Sequence, residues 1–287
     1  MQSHIELFER TLAARGRSGN TVRAYLGWLR RFAVFVDKPL EGVSLGDLQG
    51  YQRYLAADRG VDFSTFNQAF CALRVFYRDC LERDWEFARL PFQKKVRRLP
   101  EVLSAEEVAA LLGACSNVKH RAVMMTAYGC GLRLSETLAL RPEHIDSKRM
   151  VIRVEQGKGR KDRYVMLPQR LLVTLRECWR QYRPAIWMFE GQIKGRPLSA
   201  KTVQTVFHEM RDRAGIVKAV SFHSLRHAFA THLMEDGTNV RIIQALLGHR
   251  SLTSTQIYTH LARTYVNDTT SPLERLSQRQ AANSTTA

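Results

Sequence analysis

Apolar residues recur three and four positions apart through most of the chain, the spacing of one helical face. In the first 85 or so residues this pattern predicts four helices. Residues 3–15 carry Ile5, Leu7, Phe8 and Leu12, with Gly16 after them. Ser18, Gly19 and Asn20 cap a second helix over 21–36, whose apolar set includes Val22, Tyr25, Leu26, Leu29 and Phe32. Residues 45–57 and 64–81 make two more, the last with Phe66, Phe70, Leu73, Phe76 and Tyr77. Four such helices predict a small all-α domain.

Beyond residue 101 the pattern changes twice. Ser104 and Glu107 have capping-box spacing and open a helix to about 114. Residues 119–128 form another, ending in the turn Gly129 to Arg133; a short helix with Glu136 then stops before Pro142. The period switches to two over 150–154 and 163–167, β-branched runs joined by the basic, glycine-rich stretch 156–162. This predicts a β-hairpin. A Walker loop is excluded, because G-x-x-x-x-G-K-[ST] and its helix are missing. Helical spacing returns over 171–182 and 202–214, the latter capped by Ser199 and stopped by Gly215, with a loop over 183–198. Leu225, Phe229 and Leu233 mark a helix that ends near Gly237, and residues 240–247 a shorter one with Gly248 as its stop. Thr253 to Gln256 has capping-box form and opens a third helix carrying Tyr258.

Charge narrows the function. Lys and Arg number 44 against 27 Asp and Glu, a net +17, which points to a polyanion and above all to nucleic acid. Between Arg89 and Pro100 lie Lys94, Lys95, Arg97 and Arg98, two prolines and no acid, as in a basic linker able to track a phosphate backbone. The five cysteines are scattered and never form C-x-x-C, so reduced thiols in an intracellular protein are expected. The N-terminus lacks an apolar signal core and no stretch approaches a membrane span, so a cytoplasmic location is expected.

The chemistry concentrates between 223 and 260. Arg226 offers a planar, always-charged fork for two phosphate oxygens. His223, three residues earlier on the same helical face, is a donor or proton acceptor near neutral pH. A tyrosine phenol has an ordinary pKa of about 10, so Tyr258 needs nearby cations or a base to attack. Five of the nine histidines fall in this stretch, and His223 with His227 has the i, i+4 spacing of a zinc pair. No H-E-x-x-H and no cysteine accompanies them, so neither metal nor cofactor is expected; His227, His232 and His260 read as packing or surface residues.

These residues resemble the C-terminal signature of the tyrosine recombinases, or phage-type integrases, in their Xer and integron-integrase-like form. The signature is H-x-x-R, then L-G-H, then a tyrosine. His223 and Arg226, Leu247-Gly248-His249 and Tyr258 match it, with 23 residues from Arg226 to His249 and nine more to Tyr258. Gly131-Leu132-Arg133 followed by Glu136 is similar to the family's first catalytic block, and the Gly157-Lys158-Gly159 tip to its hairpin lysine. The match runs through most of 102–262, and all six site positions are filled: Arg133, Lys158, His223, Arg226, His249 and Tyr258.

The resemblance implies a fold that is mainly α with a small β-hairpin or sheet. A SAM-like four-helix core-binding domain (1–88) would precede a basic linker (89–101), a catalytic domain (102–268) and a C-terminal tail (269–287). It implies a site-specific DNA recombinase that cuts and rejoins strands through a 3′-phosphotyrosyl link formed by Tyr258. Arg133, Arg226 and His249 would stabilise the phosphate charge, His223 would help take the tyrosine proton, Lys158 would protonate the leaving 5′ oxygen, and Glu136 would buttress the site. Lys94, Lys95, Arg97, Arg98, Arg160 and Lys161 are the expected DNA-backbone contacts. The implied partner is double-stranded DNA with inverted-repeat sites, bound by a homotetramer. Type IB topoisomerases share the Tyr, Arg and His chemistry and remain an alternative. A DNA-binding regulator would account for the charge but leave six matched positions unexplained.

Overall fold

The computed structural model describes residues 2–83, 92–93, 101–155 and 162–248. Contacts divide the chain into two units, Met1–Arg98 and Leu99–Ala287. The predicted helix over residues 253–258 and beyond, the hairpin tip and the C-terminal tail lie outside the described residues.

The first unit contains helices α1 (Gln2–Ala14), α2 (Gly19–Val36), α3 (Leu45–Arg53) and α4 (Phe63–Cys80). Each start has a physical cause. Ser18 accepts from the Thr21 amide, Ser44 and Asp47 form a reciprocal capping box, and Asp62 accepts from the amides of Ser64 and Thr65. Such caps contribute about 1 kcal/mol each. The apolar stripes meet in a core rich in aromatics. Phe8 stands edge-on to Phe76 at 5.4 Å, Phe32 to Tyr51 at 5.0 Å, and the buried Tyr77 hydroxyl donates to the Leu40 carbonyl at 3.0 Å.

The third helix departs from expectation. Its α-turns stop at Arg53, and Tyr54–Asp58 widens into a π-turn. The Arg59 amide reaches back to the Tyr54 carbonyl at 2.9 Å, while Tyr54 packs against Tyr51 and Phe35. Side-chain periodicity does not distinguish such a widened turn from a continued helix.

The second unit holds α5 (Ala105–Gly113), α6 (Val118–Cys130), α7 (Leu134–Leu138), α8 (Gln169–Tyr182), α9 (Ala200–Arg213), α10 (His223–Glu235) and α11 (Val240–Leu247). The predicted capping box at Ser104 and Glu107 is formed, and Ser199 caps α9 as expected. The hairpin is present as β2 (Val151–Val154) and β3 (Arg163–Met166), antiparallel with Val154 opposite Arg163. A third strand, β1 (Ile145–Asp146), pairs with β2 and was not expected, because two residues are too few to show alternation. The architecture is therefore mainly helical with one small sheet, as the sequence predicts.

Helix α10 is more deeply set than a single stripe implies. Leu225 and Phe229 are buried as expected, but so are Ser224, Arg226, Ala228, Ala230, Thr231 and Met234. It packs between α6 and α11, so small and polar residues fill the sides that a surface helix would expose. Among the described residues no helix is long and apolar enough to cross a membrane. All five cysteines are free.

Candidate functional site

The site is built on the turn after α6. Gly131 ends that helix in the left-handed conformation, with φ of 64°. A Cβ there would sit 2.5 Å from the ring of Phe229 on α10, so glycine alone lets the turn pass this close. Leu132 is buried just beyond it, and Arg133 becomes the residue before α7.

Glu136 then folds back onto that helix start. Its Oε2 accepts the Arg133 amide at 2.9 Å, and its Oε1 accepts Arg133 Nη1 at 2.7 Å. A carboxylate on the first turn also meets the positive end of the helix dipole. Two more guanidiniums reach the same group. Arg163, at the start of β3, donates Nη1 to Oε1 at 3.0 Å and Nη2 to Oε2 at 2.9 Å. Arg226 Nη1 lies 3.6 Å from Oε2. Burial alone would raise the Glu136 pKa. The Arg163 hydrogen bonds, the Arg133 amide and both charges outweigh it and hold the carboxyl down at about 2.

Arg226 is 1% exposed, yet its charge is well accommodated. Nη1 donates to the Gly131 carbonyl and Nη2 to the Leu247 carbonyl, each at 2.6 Å. These bonds fix the guanidinium plane between the glycine turn and the end of α11. Arg133 is the more open of the two, with 22% of its side chain exposed.

His223 opens α10 beside this cluster. Desolvation lowers its pKa, and the charges of Arg226 and then Arg133 lower it further. Its ring meets that of His227 edge-on at 4.7 Å. His227 is pushed down to about 4 by burial and by the His223 and Arg226 charges. The same surroundings disfavour the protonated form of both rings. Among the described residues no group of three or more His, Cys, Asp or Glu side chains is arranged to hold a metal ion. His232 packs elsewhere, as expected of it. Its Nε2 donates to the Leu103 carbonyl at 3.0 Å, which leaves Nδ1 to accept from the Tyr128 hydroxyl at 2.9 Å.

Of the residues predicted from sequence, Arg133, Glu136, His223 and Arg226 are brought together. Lys158, Arg160, Lys161, His249, Tyr258, Lys94, Lys95, Arg97 and Arg98 lie outside the described residues. Arg163 was not singled out in the sequence, although a signal exists. Alternation along β3 puts Arg163 on the same side as buried Val165, with Tyr164 and Met166 exposed, and a charge at an inward position needs a partner.

What a cation-lined cluster of this kind can do is bind an oxyanion and stabilise charge as it develops. Comparison with known proteins bears on which oxyanion. The model of the phage integrase family matches residues 101–264, and that of a phage integrase N-terminal SAM-like domain matches 5–87. The Sinorhizobium fredii protein y4qK is 45% identical over 266 residues, 92% of this chain and 86% of that one. The tyrosine recombinase XerA of Pyrococcus furiosus is 34% identical over 272 residues, covering 92% of this chain and 91% of that protein. Among solved structures, a lambda integrase dimer bound to a COC′ core site superposes with a TM-score of 0.72. At 22% identity over 88% of this chain and 96% of that one, it is evidence for the fold.

Proposed function

The chain belongs to the phage integrase family and is a tyrosine-type site-specific recombinase, and from that premise we propose which of its atoms do the work. The substrate is double-stranded DNA carrying inverted repeats. Tyr258 Oη attacks the scissile phosphorus, forming a 3′-phosphotyrosyl bond as the bond from phosphorus to the 5′ oxygen breaks. A 5′-hydroxyl from a second cleaved strand then displaces the tyrosine. The phosphodiester bond energy is kept throughout, and no cofactor is required.

The observation that carries this reading is the single carboxylate, Glu136, shared by arginines from both halves of the signature. It brings Arg133 and Arg226 to one point beside His223, whose protonated form their charges disfavour. Two cations aimed at a phosphate stabilise the charge on its non-bridging oxygens in the transition state. A neutral imidazole is able to receive the phenolic proton, which its lowered pKa favours over permanent protonation. By the family pattern, His249 joins the two arginines and Lys158 protonates the leaving 5′ oxygen.

The net charge of +17 supports a DNA partner contacted over a wide surface, with Lys94, Lys95, Arg97, Arg98, Arg160 and Lys161 on phosphates. The working assembly in this reading is a cytoplasmic homotetramer on two duplexes. Two marked duplexes bearing the inverted repeats that flank the gene provide the test. Exchange of strands between them is expected. Relaxation of supercoiled DNA without exchange would indicate a topoisomerase, and binding alone a regulator.

A further inference from the structure

Arg163 does more than neutralise a buried acid. Its side chain is 12% exposed, and three of its donor nitrogens meet named acceptors. Nη1 and Nη2 hold both oxygens of Glu136 side by side, while Nε donates to the Leu246 carbonyl at 2.8 Å in the last turn of α11. Its guanidinium also lies against Gly248, which has φ of 61°. A Cβ there would come within 3.2 Å of Arg163 Cδ and Nη1. The glycine that stops α11 is thus also the space that seats this arginine.

We infer that Arg163 is a positioning residue for DNA strand cleavage, orienting Glu136 so that Arg133 and Arg226 face the phosphate and fixing the end of α11. The inference rests on the roles proposed above for those two arginines. Its physical basis is competition for one carboxylate. Glu136 has two oxygens, and Arg163 occupies both in fork geometry. Without it, the carboxylate would be left to Arg133 and Arg226 and would draw them inward, away from a DNA oxygen. The same loss would strand the Leu246 carbonyl, two residues before Gly248 and three before His249. One side chain therefore links the strand that follows the hairpin tip, the arginine pair and the turn that leads to His249.

Single-turnover cleavage of a nicked recombination-site duplex, measured from pH 5 to 8 beside DNA affinity and melting temperature, tests this. Arg163→Met is expected to lower the cleavage rate about 100-fold, the scale of a misplaced reacting group. DNA affinity should stay within about threefold, because most binding comes from dispersed phosphate contacts. The acid limb of its pH profile should move upward, because Glu136 loses the partner that keeps it ionised. Arg163→Lys keeps the charge without the fork and should recover only part of the rate. The double variant Arg163→Met/Glu136→Gln should lose clearly less than the product of the two single losses, since the two side chains share one contact. Arg163→Met cleaving at the parental rate, losses that multiply in the double variant, or a rate loss that tracks melting temperature with no change in pH profile would overturn the proposal. Failure of the parental protein itself to cleave would instead refute the functional reading on which it rests.

Discussion

Arg226 Nη1 donates to the carbonyl oxygen of Gly131 at 2.6 Å, although the two residues are 95 positions apart. The bond joins the two sequence blocks that carry the family signature. It also explains why the first block begins with glycine. The carbonyl is presented by a left-handed residue whose Cβ, if it had one, would lie 2.5 Å from the Phe229 ring, a conformation and closeness no other residue type tolerates well.

Gly131→Ala should therefore destabilise the protein by about 3 kcal/mol, from the strained φ and the clash with Phe229 together. Denaturant unfolding measures this. A change under about 0.5 kcal/mol would mean the turn relaxes freely.

Glu136 makes stability depend on pH. Its folded pKa of about 2 lies below the ordinary carboxylate value, so the stabilisation is fully present above about pH 4.5 and is lost as pH falls through the folded value. The shift corresponds to on the order of 3 kcal/mol. Glu136→Gln should be clearly less stable than the parent at pH 7, and the gap should narrow toward pH 3. An equal gap at both pH values would contradict this account of the cluster.

His223 is exposed at the surface, yet it should titrate below the ordinary imidazole pKa of about 6.5, because partial desolvation and then the charges of Arg226 and Arg133 disfavour its protonated form. NMR titration is the check, and Arg133→Ala should move the midpoint upward. A midpoint at or above 6.5 in the parent would contradict the effect ascribed to the two arginine charges.

Much of this was legible in advance. Spacing and caps located the helices of both units, and the motif spacing picked out Arg133, Glu136, His223 and Arg226 before any geometry. What periodicity missed has specific causes. The π-turn at Tyr54–Asp58 keeps helical side-chain spacing while widening the backbone. Strand β1 is too short to alternate. The role of Arg163 depends on a partner 27 positions away, and local patterning reports only that a charge points inward. The depth of Arg226 was hidden for a similar reason. A buried arginine is tolerated because carbonyls from Gly131 and Leu247 receive it, and neither contact is local in sequence.

Salt probes the basic linker. Binding should weaken steeply between about 50 and 200 mM salt. Replacing Lys94, Lys95, Arg97 and Arg98 with glutamine should flatten the slope of log affinity against log salt. An unchanged slope would make that stretch a tether alone.

The central claim is that Tyr258 is the nucleophile. A duplex nicked beside the cleavage position releases a short fragment on attack and traps the covalent complex. The parent should form an adduct that survives denaturation and maps by mass spectrometry to Tyr258. Tyr258→Phe should form none while binding the same DNA within about twofold, because affinity rests on dispersed phosphate contacts. An adduct in Tyr258→Phe, or a parental adduct on another residue, would contradict the account.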